Sequence, residues 1–97
     1  MATFPLKLQQ SYFKKGFFNV TVDYDRYVRK SEGPMRLRLG RNGPEIQGRV
    51  SRTENTNRTA RVYGGAVLRD WFQKNFEPLQ MVTVDLSSTE VIVLDKP

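Results

Sequence analysis

The chain of 97 residues contains no cysteine and no histidine. Those two absences exclude a disulfide framework, thiol and Ser-His-Asp catalysis, and the usual structural zinc sites. Long apolar runs are also missing. None approaches the roughly 18 residues of a membrane-spanning helix, and the opening MATFPLKLQQ lacks the apolar core of a secretory leader. The expectation is a domain with no membrane partner. Clustered acids are scarce as well. A metal-dependent nuclease needs closely arranged carboxylates with a lysine nearby. Asp23/Asp25 and Asp85/Glu90 supply no such set and read as turn and capping residues. No catalysis, metal, cofactor or small-molecule substrate is expected.

What the chain does contain is charge of one sign and enough apolar material to fold. Apolar residues make up 38%, which with this length supports a single domain over residues 1–97. Lys and Arg number 16 against 10 Asp and Glu, a net charge of +6. The excess is local. Residues 26–61 hold ten cations, nine of them Arg, against Glu32, Glu45 and Glu54, for a net +7. Residues 62–97 are net −2, with three cations and five acids. Charges that serve only solubility are usually interspersed in sign. A block of arginine instead suits phosphates and guanine edges.

Periodicity reads mainly as strands. Residues 3–8 alternate around Phe4, Leu6 and Leu8, residues 17–22 (FFNVTV) are aromatic and β-branched, and residues 35–39 alternate Met and Leu with Arg36 and Arg38. Further strands are expected at 45–51, 57–63, around 81–84 and at 91–94. The spacing of Tyr24, Tyr27 and Val28 behind Asp23 predicts a short helix over 23–30. A second is predicted over 66–76, with Val67, Leu68, Trp71, Phe72 and Phe76 on one face. The expected fold is mainly β, a seven-stranded open barrel with two short helices. Residues 9–16 (QQSYFKKG) read as a polar, basic connection.

Two connections carry candidate recognition chemistry. The tip of the 51–58 hairpin, SRTENTNR, gathers Arg52, Thr53, Glu54, Asn55, Thr56, Asn57 and Arg58. Arg and Asn read guanine and adenine edges, while hydroxyls reach phosphates. Asn and Thr also favour ordinary turns, but the concentration of base-reading types favours a binding loop. Glu54 would be repelled by phosphate, so it either accepts from cytosine or orients Arg52. Exposed rings for stacking single strands could come from Tyr12, Phe17, Phe18 or Tyr63, each of which reads better as core.

Several segments together resemble a known family. They are Leu6-Lys7-Leu8 with Ser11, the basic connection after it, FFNV, the Tyr/Arg helix, the basic hairpin, and VYGGAVLRDWFQKNFEPLQMVTV. The pattern is similar to the plant B-three transcription-factor domain, and closer still to the DNA-binding pseudobarrels of type II restriction endonucleases. Where that family has Gly-Asp before the sixth strand, this chain has Leu79-Gln80. The resemblance implies a seven-stranded pseudobarrel that binds double-stranded DNA through the major groove with two arms. Carried onto this chain, one arm is Gln9, Gln10, Ser11, Tyr12, Lys14 and Lys15, and the other is residues 52–58. Lys14, Lys15, Arg26, Arg29, Arg36 and Arg38 are the expected phosphate contacts, and Arg52, Asn55, Asn57 and Arg58 the expected base contacts. In a restriction-modification setting the partner beside DNA would be a nuclease domain or subunit. The location would then be cytoplasmic and nucleoid-associated, or nuclear for a plant protein. An RNA or single-strand binder and a protein-interaction module with a basic face are the alternatives.

Overall fold

The computed structural model describes residues 2–97. Seven strands form one mixed sheet curled into an open half-barrel: β1 Thr3–Lys7, β2 Phe17–Asn19, β3 Gly33–Leu39, β4 Glu45–Ser51, β5 Arg61–Tyr63, β6 Met81–Asp85 and β7 Val91–Asp95. Their order across the sheet is β1-β6-β7-β3-β4-β5-β2, antiparallel except where β7 runs parallel to β3. Alternation dictates the inner face. Phe4 and Leu6 on β1, Met35, Leu37 and Leu39 on β3, and Ile92 and Leu94 on β7 are buried, while their sequence neighbours face outward. Phe18, Val50 and Val62 close the core on the other half of the sheet. No helix among the described residues is long and apolar enough to cross a membrane.

The helical segments number three where two were expected. Helix α1 (Gln10–Lys15) occupies the first connection, which reads from sequence as an irregular loop. It packs beside α2 (Gly65–Asn75), and its short QSYFKK turn is held by that tertiary contact, since six residues are too few for a helix to stand alone. Gly16 makes the junction possible. Its φ of 77° ends α1 in the left-handed region, and its carbonyl accepts from the backbone N–H groups of Gly64 and Gly65 at 2.9 and 3.1 Å. A Cβ there would lie 2.1 Å from the Gly65 carbonyl oxygen, so only glycine fits.

Val22–Tyr27 is a 3₁₀ helix, shorter than the helix expected over 23–30, and Thr21 stands at its cap in place of Asp23. Leu68 and Phe72 of α2, and Phe76 just beyond its end, pack into the core with Trp71 against them, as the spacing implies. Val67, placed on that face by periodicity, is instead 55% exposed. β5 is also shorter than its sequence suggests. Its expected first half has its backbone engaged elsewhere: the Thr59 N–H donates to the Asn57 side chain and the Ala60 N–H to Asp25, while the Ala60 carbonyl accepts from Val20.

Candidate nucleic-acid interface

Strand register sets the relation of the two arms. β2 and β5 pair Phe17 with Tyr63 at one end and Asn19 with Arg61 at the other. Helix α1 feeds into the Phe17 end, and the 52–60 connection feeds into the Arg61 end. The arms therefore flank a short sheet floor, about 7 Å long at the rise of an extended strand.

The second arm is built around an ion pair. The Arg52 side chain turns inward and is 13% exposed. Its Nη1 donates to both oxygens of Asp25, at 3.0 and 2.8 Å, and to the Arg58 carbonyl. Its Nη2 donates to the carbonyls of Val28 and Arg29. Glu32 accepts from the Arg52 backbone N–H at 2.7 Å. One guanidinium thus ties the root of the hairpin to the 3₁₀ helix, and four of its N–H groups are consumed. Arg52, expected to read a base, has these donors turned to acceptors within the fold. Glu54 does not orient it, because Asp25 does. Asn55 is engaged likewise. Its Nδ2 donates to Asn19 Oδ1 at 3.0 Å and to Thr59, and its Oδ1 accepts from Arg61.

What remains exposed on this arm is the tip, although Asn57 Oδ1 accepts from the Thr59 N–H and hydroxyl and so offers a ligand chiefly its amide donors. Thr53, Glu54, Thr56, Asn57 and Arg58 are exposed. The backbone N–H of Arg58 donates to the Asn55 carbonyl, closing the turn, and Arg58 takes a φ of 62°. Arg52, Thr53, Asn55, Thr56 and Arg58 line a depression of about 240 Å³. On the first arm, Gln10, Ser11, Lys14 and Lys15 are exposed, and Tyr12 packs edge-on to Phe17 at 5.2 Å. Lys15 lies three residues beyond Tyr12, on the same side of the helix. Lys14 and Lys15 have no carboxylate within ion-pair distance among the described residues.

The remaining cations divide. Arg36 and Arg38 point outward from β3 as alternation implies, and both pair with Glu45, at 3.3 and 2.5 Å. The hydrogen bond from Arg38 outweighs slight desolvation and, with the charges of Arg38 and Arg36, holds the Glu45 carboxyl below its usual range. These arginines carry less free charge than their sequence suggests. Arg29 donates to the carbonyls of Ser31 and Pro34, and Arg26 lies over the Tyr27 ring.

The floor holds residues that sequence reading did not place in the site. Arg61 lies over the Phe17 ring, 4.5 Å from its centroid, and Arg49 over Tyr63 at 4.7 Å. Neither has a carboxylate partner among the described residues. The signal was present in the pattern. Both are polar positions on strands whose alternate residues are apolar, and both fall inside the basic third of the chain.

The chain matches no family model, no curated protein and no solved structure. Among the described residues no group of three or more carboxylates stands together as a metal site. The chemistry on this face is that of exposed donors and cations: Lys14 and Lys15 on one side, Arg49 and Arg61 on the floor, Asn57 and Arg58 on the other.

Proposed function

We propose that the protein is a double-stranded DNA-binding domain that grips the duplex with α1 and the 53–58 hairpin tip, through the major groove, and reads sequence chiefly at the tip. The observation that carries this reading is the gathering of free cations on one face. Lys14, Lys15, Arg49, Arg58 and Arg61 have no carboxylate within ion-pair distance among the described residues, whereas Arg36 and Arg38 on β3, Arg41 in the turn after it, Arg52 at the hairpin root and Arg69 on α2 are paired. A polyanion that releases counterions on binding is the natural complement of such a face. The open half-barrel and its seven strands agree with the pseudobarrel the sequence resembles.

A second observation favours duplex over single strands. Single-strand binders present aromatic faces for stacking. Here Phe17 is 9% exposed and capped by Arg61, and Tyr63 is capped by Arg49. The two rings of the floor are already stacked on guanidinium groups.

The test is a binding series at about 100 mM salt, where non-specific DNA binders are still detectable. Labelled duplex and each of its single strands are compared, and a random-duplex selection follows. The expected result is preference for duplex and enrichment of a short motif. Replacing Asn57 and Arg58 by Ala should reduce preference for the enriched site by about 1–3 kcal/mol per lost base contact. Tighter binding to single strands would overturn the duplex assignment. Absence of any DNA affinity would leave a basic protein-interaction surface.

A further inference from the structure

The cluster Asn19–Asn55–Arg61 has an unusual hydrogen-bond economy. Arg61 Nε donates to Asn19 Oδ1 at 2.9 Å, and Arg61 Nη2 donates to Asn55 Oδ1 at 3.3 Å. Asn19 Oδ1 also accepts from Asn55 Nδ2. Guanidinium has only donors, so both amide oxygens must face it, and the side-chain amide orientations follow. The oxygens are thereby spent inside the cluster. What is left for a ligand is donors alone, on Arg61 Nη1 and Asn19 Nδ2. Both groups that orient Arg61 are neutral, so its positive charge is directed without being cancelled.

Arg49 extends this arrangement. It pairs with Tyr63 across β4 and β5, while Arg61 opposes Ser51, so the two arginines are diagonal neighbours on one face. Such positions lie about 7–8 Å apart. We propose that Arg61 and Arg49 form a phosphate-backbone contact site on the floor between the arms, held ready by Asn19, Asn55 and the rings of Phe17 and Tyr63. This inference rests on the DNA-binding reading and specifies a contact that neither arm supplies. Phosphate is favoured over a base edge because both guanidinium groups are pinned to the sheet. The major groove is roughly 8.5 Å deep, and its bases are reached by side chains that project, whereas phosphates line its rim.

The experiment measures duplex affinity from about 50 to 200 mM salt for the full chain and for R49Q, R61Q and N19D. Each lost phosphate contact lowers the slope of log affinity against log salt by about 0.9. The advantage of wild type over R49Q or R61Q should therefore shrink about three- to fourfold across that range, equally for enriched and random duplexes. N19D keeps an acceptor for Arg61 but cancels its charge. It should retain the wild-type melting temperature or exceed it, and still show the reduced slope. A purely structural role for the cluster predicts the reverse: normal DNA binding by any variant that melts normally. Unchanged slopes in R49Q and N19D, with wild type binding duplex, overturn this site alone. Losses confined to one duplex sequence also overturn it, in favour of base contacts. If wild type binds no duplex, the proposed function fails and this inference with it.

Discussion

The inward turn of Arg52 leads to a prediction that separates two roles for one residue. As a base contact, Arg52 would affect affinity and leave folding alone. As the tie between hairpin and 3₁₀ helix, it should affect folding first. With Arg52 13% and Asp25 16% exposed, removing one partner leaves a buried charge uncompensated, a loss of about 3–5 kcal/mol. The carbonyls of Val28, Arg29 and Arg58 lose their donors at the same time. Arg52 Nε is itself buried without a partner, so the native site is imperfectly satisfied and the lower end of that range applies. For a domain of this size 1 kcal/mol moves the melting temperature by roughly 4–8 °C. Arg52→Ala should then lower it by about 12 °C or more, read by thermal unfolding near pH 7. Arg52→Lys should recover only part of the loss, because an ammonium cannot span Asp25 and three carbonyls at once. In a cycle with Asp25→Ala, the coupling should exceed about 1 kcal/mol. A melting temperature within about 4 °C of wild type, or coupling near zero, would refute the structural role and return Arg52 to the proposed base contacts.

Two further outcomes test local physics. Leu79 holds a φ of 72°, where the resembled family carries glycine, and its side chain is 52% exposed. The left-handed region costs a non-glycine residue about 1–2 kcal/mol, partly offset because glycine loses more backbone entropy on folding. Leu79→Gly should thus stabilise by up to about 1 kcal/mol, and a lower melting temperature would contradict the strain. For Asp85, burial opposes ionisation, but the Ser87 hydroxyl and N–H and the Arg41 guanidinium together hold its carboxyl below the usual range. A depressed folded pKa gives stability that is present above the unfolded value near 4 and is lost as pH falls through the folded one. The stability gap between wild type and Asp85→Asn should therefore be widest near neutrality and close on acidification. A gap independent of pH would remove the ionised carboxylate from the explanation.

The sheet was legible because its inner face alternates strictly: Phe4-Leu6-Leu8, Met35-Leu37-Leu39 and Ile92-Leu94 leave no other register that buries them. The first connection was not. QSYFKK has no side-chain N-cap, no acidic first turn and less than two turns of length, so apart from Gly16 and the two lysines at its end nothing local announces a helix. Its cause lies about fifty residues away, where the Gly64–Gly65 N–H groups meet the Gly16 carbonyl and α2 offers a packing surface. Local propensity cannot register a partner so distant in the chain.

The same distance explains why the roles of Arg52 and Asn55 in the 52–58 loop were not legible. Arg, Asn and Asp are used for reading bases because they make directional, multivalent hydrogen bonds. Those properties also make them the residues that tie an irregular loop to its scaffold. Composition cannot tell the uses apart; the partner can. Asp25 takes Arg52, Asn19 takes Asn55, and Thr59 takes the side-chain oxygen of Asn57, so of the four expected base readers only Arg58 keeps its whole side chain for a ligand. Conversely Arg49 and Arg61 read as ordinary strand positions, yet the fold gives them rings and neutral amides in place of carboxylates. An arginine neutralised by a carboxylate stabilises the protein that holds it, whereas one oriented by neutral groups keeps its charge for a partner. By that criterion the proposed site lies off the root of the hairpin, on its tip and the floor beside it.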